Sequence, residues 1–491
     1  MPKLLRFRIT SGLCAAGLLT VGACTDPFGF TPPSQADGPC PASVEWLPTT
    51  PRLEMFKPPP HPASECPFYR GGWQSFLIAT QPDATGRPAL LGYPTIDDVF
   101  QSAKPPSAQR ALLGDIRQAG GRHVLIDQNG NSIYYGIHVN QAYADFIATH
   151  GLRTRDAIVN ADKTLFFPPG VVELKSAWQI VEDGAPAGDF ITATATVPTL
   201  KALNHQIVED RDTPRTVKVR LLALHVAFTL PGHPEFIWAT FEHTSGTPDS
   251  SATDGMRDVA PIHPKDVNPD PTDPSDLHDQ TVISDHDFLL YKAGTTAQAA
   301  NQAIAEADLR LDEATQKFPG QQTSIFRMFP ASKSNTTTPD DAITSLNRDV
   351  EALFAQATSH GTIDAADQRG HYRLVGAQWM DKPQYFDVDI PIQNDQSSPF
   401  AGKPGFLKDL QENGSDSVYS ILAGEDRMSS TAMESFTQGP DSFPNCFSCH
   451  NTQALTANGV PVNKDGNGMP LLDAKLLNVS HVLSQFLLSE K

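Results

Sequence analysis

Two cysteines stand three positions apart in "FPNCFSCHNTQ" (443–453), and a histidine follows the second at once. Cys446, Cys449 and His450 have the residue types and spacing for covalent haem attachment. Two thiols separated by two residues reach the two vinyl groups on one porphyrin edge, and the adjacent imidazole is carried beneath the iron as its proximal ligand. With six cysteines and 15 histidines in the chain, chance would produce this pentapeptide in about a few such chains per thousand. A zinc site needs four ligands, and no second CxxC or histidine pair stands at suitable spacing. A thioredoxin-like dithiol opens a helix after a strand, whereas "GPDSFPN" precedes this one. A disulfide across two residues is the remaining alternative.

The sixth position of such an iron decides between electron transfer and ligand chemistry, because two strong axial ligands suit the first and an open site the second. Downstream of His450 the one methionine is Met469, in "NGNGMP", where glycines and a proline make a loop able to approach iron. Met433 is the second choice. Met428 and His481 are further candidates, and a vacant or water-bound position is the alternative to all four.

Haem attachment of this type requires export. Lys3, Arg6 and Arg8 precede a short apolar run, Ile9 to Val21, that is too short to span a bilayer and has the pattern of an export signal over 1–23. "VGAC" resembles the lipobox of bacterial lipoproteins, which implies lipidation of Cys24 and anchoring by acyl chains alone. Thr25 in place of aspartate favours the outer membrane. In an oxidising compartment, and with Cys446 and Cys449 on a haem, Cys40 and Cys66 are left to pair as a disulfide. The chain has 491 residues, 19% of them charged, and a formal charge of −19. An acidic balance of this size excludes nucleic acid as a partner.

The elements that must carry the motif follow from periodicity. A proline-rich tether is expected over 24–65 and a β-rich domain over 66–243. A buried helix is expected around Phe68, Trp73, Phe76 and Leu77. "QNGN" marks a hairpin, and "QAYADFIATHGL" a helix stopped by Gly151. Strands are predicted in "GVVELKSAWQIV", "DFITATATVPTL", "TVKVRLLALHVAFTL" and "EFIWATFEHT", the last two as a hairpin across "PGHP". A four-residue turn there puts His243 opposite Leu222, on the other face from His225, so the two histidines share no metal. Residues 244–287, rich in aspartate and proline, are expected to be a linker or insertion. The remainder, 288–491, is expected to be mixed. It has helices in "TTAQAANQAIAEADLRLDEATQKF" (295–318) and "PDDAITSLNRDVEALFAQAT" (339–358), a strand in "YRLVGAQWM", and a closing helix after the cysteines. The haem module would occupy about 415–491. The fold class is α+β: an antiparallel sheet or sandwich with a helical C-terminal c-type haem module.

"CPFYRGGWQSFL", "GVVELKSAWQIV", "FIWATFEHT" and "STAMESFTQGPDSFPNCFSCH" together resemble a group of large bacterial cytochrome c family proteins with one C-terminal CxxCH. The likeness runs in scattered blocks from Cys66 to about His481. It implies one haem c held by Cys446 and Cys449 with His450 as ligand, and implies no substrate. Three functions are compatible with these residues. The first is periplasmic electron transfer with an unidentified redox partner. The others are a haem oxidoreductase of peroxidase or oxygenase type, and a non-catalytic, haem-gated binding or sensor lipoprotein.

Overall fold

The computed structural model describes residues 40–47, 65–100, 113–118, 123–243, 282–328, 341–380, 422–425, 428, 430–438, 446–448, 450 and 475–489. Seven antiparallel strands form one sheet: β1 (Tyr134–Val139), β2 (Val172–Ile180), β3 (Thr192–Leu203), β4 (Gln206–Leu230), β5 (His233–His243), β6 (Tyr372–Met380) and β7 (Leu422–Gly424). The order is β1-β2-β4-β5-β6-β7, with β3 also paired to β4. The α+β class expected from the sequence is therefore the fold. Among the described residues six helices accompany the sheet: α1 (Cys66–Thr80), α2 (Ile96–Phe100), α3 (Gln141–Thr149), α4 (Arg155–Val159), α5 (Asp341–Ser359) and α6 (His481–Ser489).

β4 is the hub. Its first half pairs with β3 through a two-residue turn at Asn204 and His205, both at positive φ (49° and 62°), and its second half lies between β2 and β5. Such a turn matches the twist of the strands it joins. Pro198 sits where the β3–β4 register shifts, the position a strand allows a residue lacking N–H. In the β4–β5 pair Ala223 stands opposite Glu242, which extends to the expected opposition of Leu222 and His243. At the tip the register shifts and Leu230 meets His233, so Pro231 and Gly232 alone make the turn.

Alternation along the strands gives the sheet two different faces. Leu224, Val226, Phe228, Ile237, Ala239 and Phe241 belong to the large apolar core, which α1 and α5 cover. α1 places Phe68 on Trp379 (ring centroids 4.1 Å apart) and Phe76 on Phe241 (4.5 Å). A Cβ on Gly72 would lie 3.0 Å from that of Ala239, so this glycine sets how closely the helix approaches β5. α5 buries Ile343, Leu346, Val350 and Leu353 at helical spacing. Ala227, Trp238 and Met380 face the other way, into a cluster with α2, α3, α6 and Phe447.

Three sequence expectations are corrected. The helix over 295–318 is absent: this stretch consists of turns, a 3-10 turn at Glu306–Asp308 and an Asp312–Lys317 bridge. Gln316 bonds both the N–H and the carbonyl of Leu200, and Phe318 N–H donates to Gly130 O. These long-range partners outweigh the local alanine-driven propensity. The tether over 24–65 is not loose throughout, because Cys40, Trp46 and Leu47 are buried in the main core. Position 243 is no boundary of the sheet either, since β5 pairs with β6, and β6 with β7, both from beyond it. The 244–281 segment, with Asp266, Asp270, Asp273 and Asp276, lies outside the described residues.

Candidate haem-attachment site

Cys446 opens a single 3-10 turn, Cys446–Ser448, and His450 N–H donates to Cys446 O at 2.9 Å. That i to i+4 bond places the first thiol and the imidazole one helical turn apart, an arrangement suited to one porphyrin lying against both. Cys446 is half-buried, and its backbone N–H donates to Gln378 Oε1 at 2.8 Å, fastening the turn to β6. Phe447 is fully buried in the second-face cluster. Cys449 lies outside the described residues.

His450 is held on three sides. Its Nδ1 is 2.8 Å from Val479 O. A carbonyl only accepts, so Nδ1 carries the proton and Nε2 keeps its lone pair. Its ring packs on Trp238 (centroids 4.0 Å) and stacks on His481 (3.9 Å, 20° between planes). Burial, and next the neighbouring His481, hold its imidazole well below the ordinary pKa of histidine, so it stays neutral. A neutral imidazole with an oriented Nδ1–H and an available Nε2 is the form in which histidine binds a metal. The residues present therefore fit a proximal ligand. Among the described residues no group of three or more His, Cys, Asp or Glu is arranged to hold a bare metal ion.

The chain matches no family model, no curated protein and no solved structure.

The other expected site residues divide clearly. Cys40 and Cys66 form the disulfide, with an S–S distance of 2.06 Å. Cys24 and Met469 lie outside the described residues. Met433 is fully buried, in a cluster with Leu125, Tyr135 and Ala223, separate from the one that contains Phe447 and Trp238. Met428 is in the Phe447 cluster. His481 stacks face to face on His450, with ring centroids 3.9 Å apart. His225 and His243 share no site, as the register predicted. His243 bonds Asp189 O, while His225 lies between Thr240 Oγ1 (2.8 Å) and the Glu434 carboxylate (2.9 Å).

Sequence reasoning missed the residues that hold His450 in place. Val479, Ser480 and His481 come from the closing segment, 29 to 31 positions downstream in the chain. Trp238 was legible only as a strand aromatic. A further buried set adjoins them: Ser480 Oγ donates to Glu173 Oε2 at 2.6 Å, and Tyr143 OH lies 2.8 Å from the same Oγ. Burial raises the Glu173 carboxyl to about 7, with the Ser480 bond opposing the rise.

Proposed function

We propose that this protein is an exported c-type cytochrome with one haem on Cys446 and Cys449, His450 as its proximal ligand, and a role in electron transfer between periplasmic partners. The observation that carries the proposal is His450. It follows the second cysteine of CxxCH, lies one turn from Cys446, and donates Nδ1–H to Val479, which orients Nε2 as the ligating nitrogen. A haem held there supplies one-electron redox chemistry at its iron. The chain's own residues fix the attachment turn through Gln378 and keep the imidazole neutral and oriented.

Met469 is proposed as the sixth ligand, with Met428 now ahead of Met433 because it shares the apolar cluster of Phe447. Lipidation of Cys24 and residence at the outer membrane belong to the same proposal. The Cys40–Cys66 disulfide supports an oxidising compartment. Among the described residues no helix is long and apolar enough to cross a membrane. Membership of the large monohaem cytochrome c group is likewise proposed, on the sequence blocks quoted above.

A haem oxidoreductase is the second reading, favoured by the hydrogen-bonded His225–Glu434 pair on the same sheet face as Trp238. Such a pair is a ready acid–base group. Absorption spectra of protein matured in a host with cytochrome assembly machinery separate the two. Electron transfer requires a low-spin haem that does not bind carbon monoxide, whereas a high-spin haem that binds it readily points to the oxidoreductase. A colourless protein overturns both.

A further inference from the structure

His450 is oriented by a backbone carbonyl, so whatever fixes residue 479 fixes the imidazole. The segment that carries Val479 is tied at both ends. Lys475 Nζ donates to Val159 O (2.5 Å) and Ala161 O (2.8 Å), and Leu476 N–H donates to Lys163 O (3.0 Å). At the other end stands Ser480, fully buried, between α3 and β2. With Glu173 ionised, the one hydroxyl proton of Ser480 goes to Glu173 Oε2, and Tyr143 OH is then the donor in the 2.8 Å contact. Tyr143 is itself placed by the Asn140 side chain, which caps α3 at Tyr143 N–H. The order is therefore Tyr143 to Ser480 to Glu173, with the chain on either side of Ser480 touching His450: Val479 through its carbonyl, His481 through its ring.

We infer that Ser480, gripped by Tyr143 and Glu173, is a positioning residue for His450, holding the Val479 carbonyl on Nδ1–H and so setting how strongly Nε2 donates. The inference rests on reading His450 as the proximal haem ligand. A carbonyl on the distal side of a ligating imidazole raises its basicity, and a more basic axial ligand favours the oxidised iron. Removing the grip slackens the carbonyl, weakens that donation and raises the midpoint potential.

The test is a redox titration of the full-length, haem-loaded protein with its Ser480→Ala, Ser480→Thr, Tyr143→Phe and Val482→Ala variants, after haem content is measured by reduced pyridine haemochrome spectra. The expected result is an upward shift of potential in Ser480→Ala, a smaller one in Tyr143→Phe, and recovery toward wild type in Ser480→Thr, which keeps the hydroxyl. Val482 is a fully buried residue of α6 that makes none of these bonds, so Val482→Ala loosens packing and leaves the potential in place. Should Ser480→Ala not fold, Tyr143→Phe and Ser480→Thr carry the test. Haem-bearing variants with wild-type potentials overturn the inference alone, as does a Val482→Ala shift equal to that of Ser480→Ala. A wild-type chain without haem overturns the reading beneath it.

Discussion

The two faces of the sheet are built from the same strands and do different work. On one, α1 and α5 close over two sets of touching rings, Phe68 with Trp379 and Trp73 with Phe76 and Phe241. On the other, Glu173, Thr240, Glu242 and Gln378 are buried and satisfied by named partners. Apolar burial is non-directional, so the first face can hold the fold without specifying a site. Buried polar groups cost stability unless paired, and their pairing fixes geometry. The second face therefore bears the candidate chemistry. Glu242, bonded to Arg327 and to Thr431 N–H, and Tyr135, whose hydroxyl donates to Ala432 O, dock the 430–438 segment against the sheet.

The largest loss is expected on the packed face. Phe76→Ala on the packed face should cost about 4 kcal/mol, read as a lower urea midpoint with little change in any haem spectrum. Replacing Cys40 and Cys66 with serine opens a loop with a sequence separation of 26 residues and should cost about 3 kcal/mol. Thermal unfolding of the double variant checks it. On the second face, Glu173 has a folded pKa of about 7 against an ordinary 4.5. The contribution of Glu173 to stability is thus greatest below 4.5 and falls as pH rises toward 7, by on the order of 3 kcal/mol. Glu173→Gln removes that slope, so the difference between variant and wild type should grow from pH 4.5 to 7 and then level off. A difference independent of pH would contradict a buried, titrating carboxyl. His225→Ala should be the mildest, about 2 kcal/mol, because it removes one charge-assisted partner from Glu434, whose carboxyl His225 keeps below the ordinary range against the opposing effect of burial.

Much of the fold was legible because its strands alternate. "YRLVGAQWM" is β6 residue for residue, and the hairpin register separates His225 from His243 by sheet face. The first third of β4 was not legible, because residues 206–215 form a largely exposed arm where no burial imposes a pattern. The Thr295–Phe318 stretch misled because its alanines have helix propensity while its bonding partners, Leu200 and Gly130, lie far off in sequence. For the proposed site, Cys446, Cys449 and His450 rest on the cysteine spacing alone. Nothing local marks Val479 as the acceptor for His450, or Trp238 as the wall of its ring, since those contacts exist only once the closing segment folds back on β5.

The most direct measurement is the intact mass of the protein matured in a host with cytochrome assembly machinery, followed by peptide mapping of the segment that contains residues 446–450. The account predicts a mass increased by one haem, retained under denaturing conditions and mapped to Cys446 and Cys449 as two thioethers. A chain of unmodified mass, with those two sulfurs reduced or joined to each other, would contradict it.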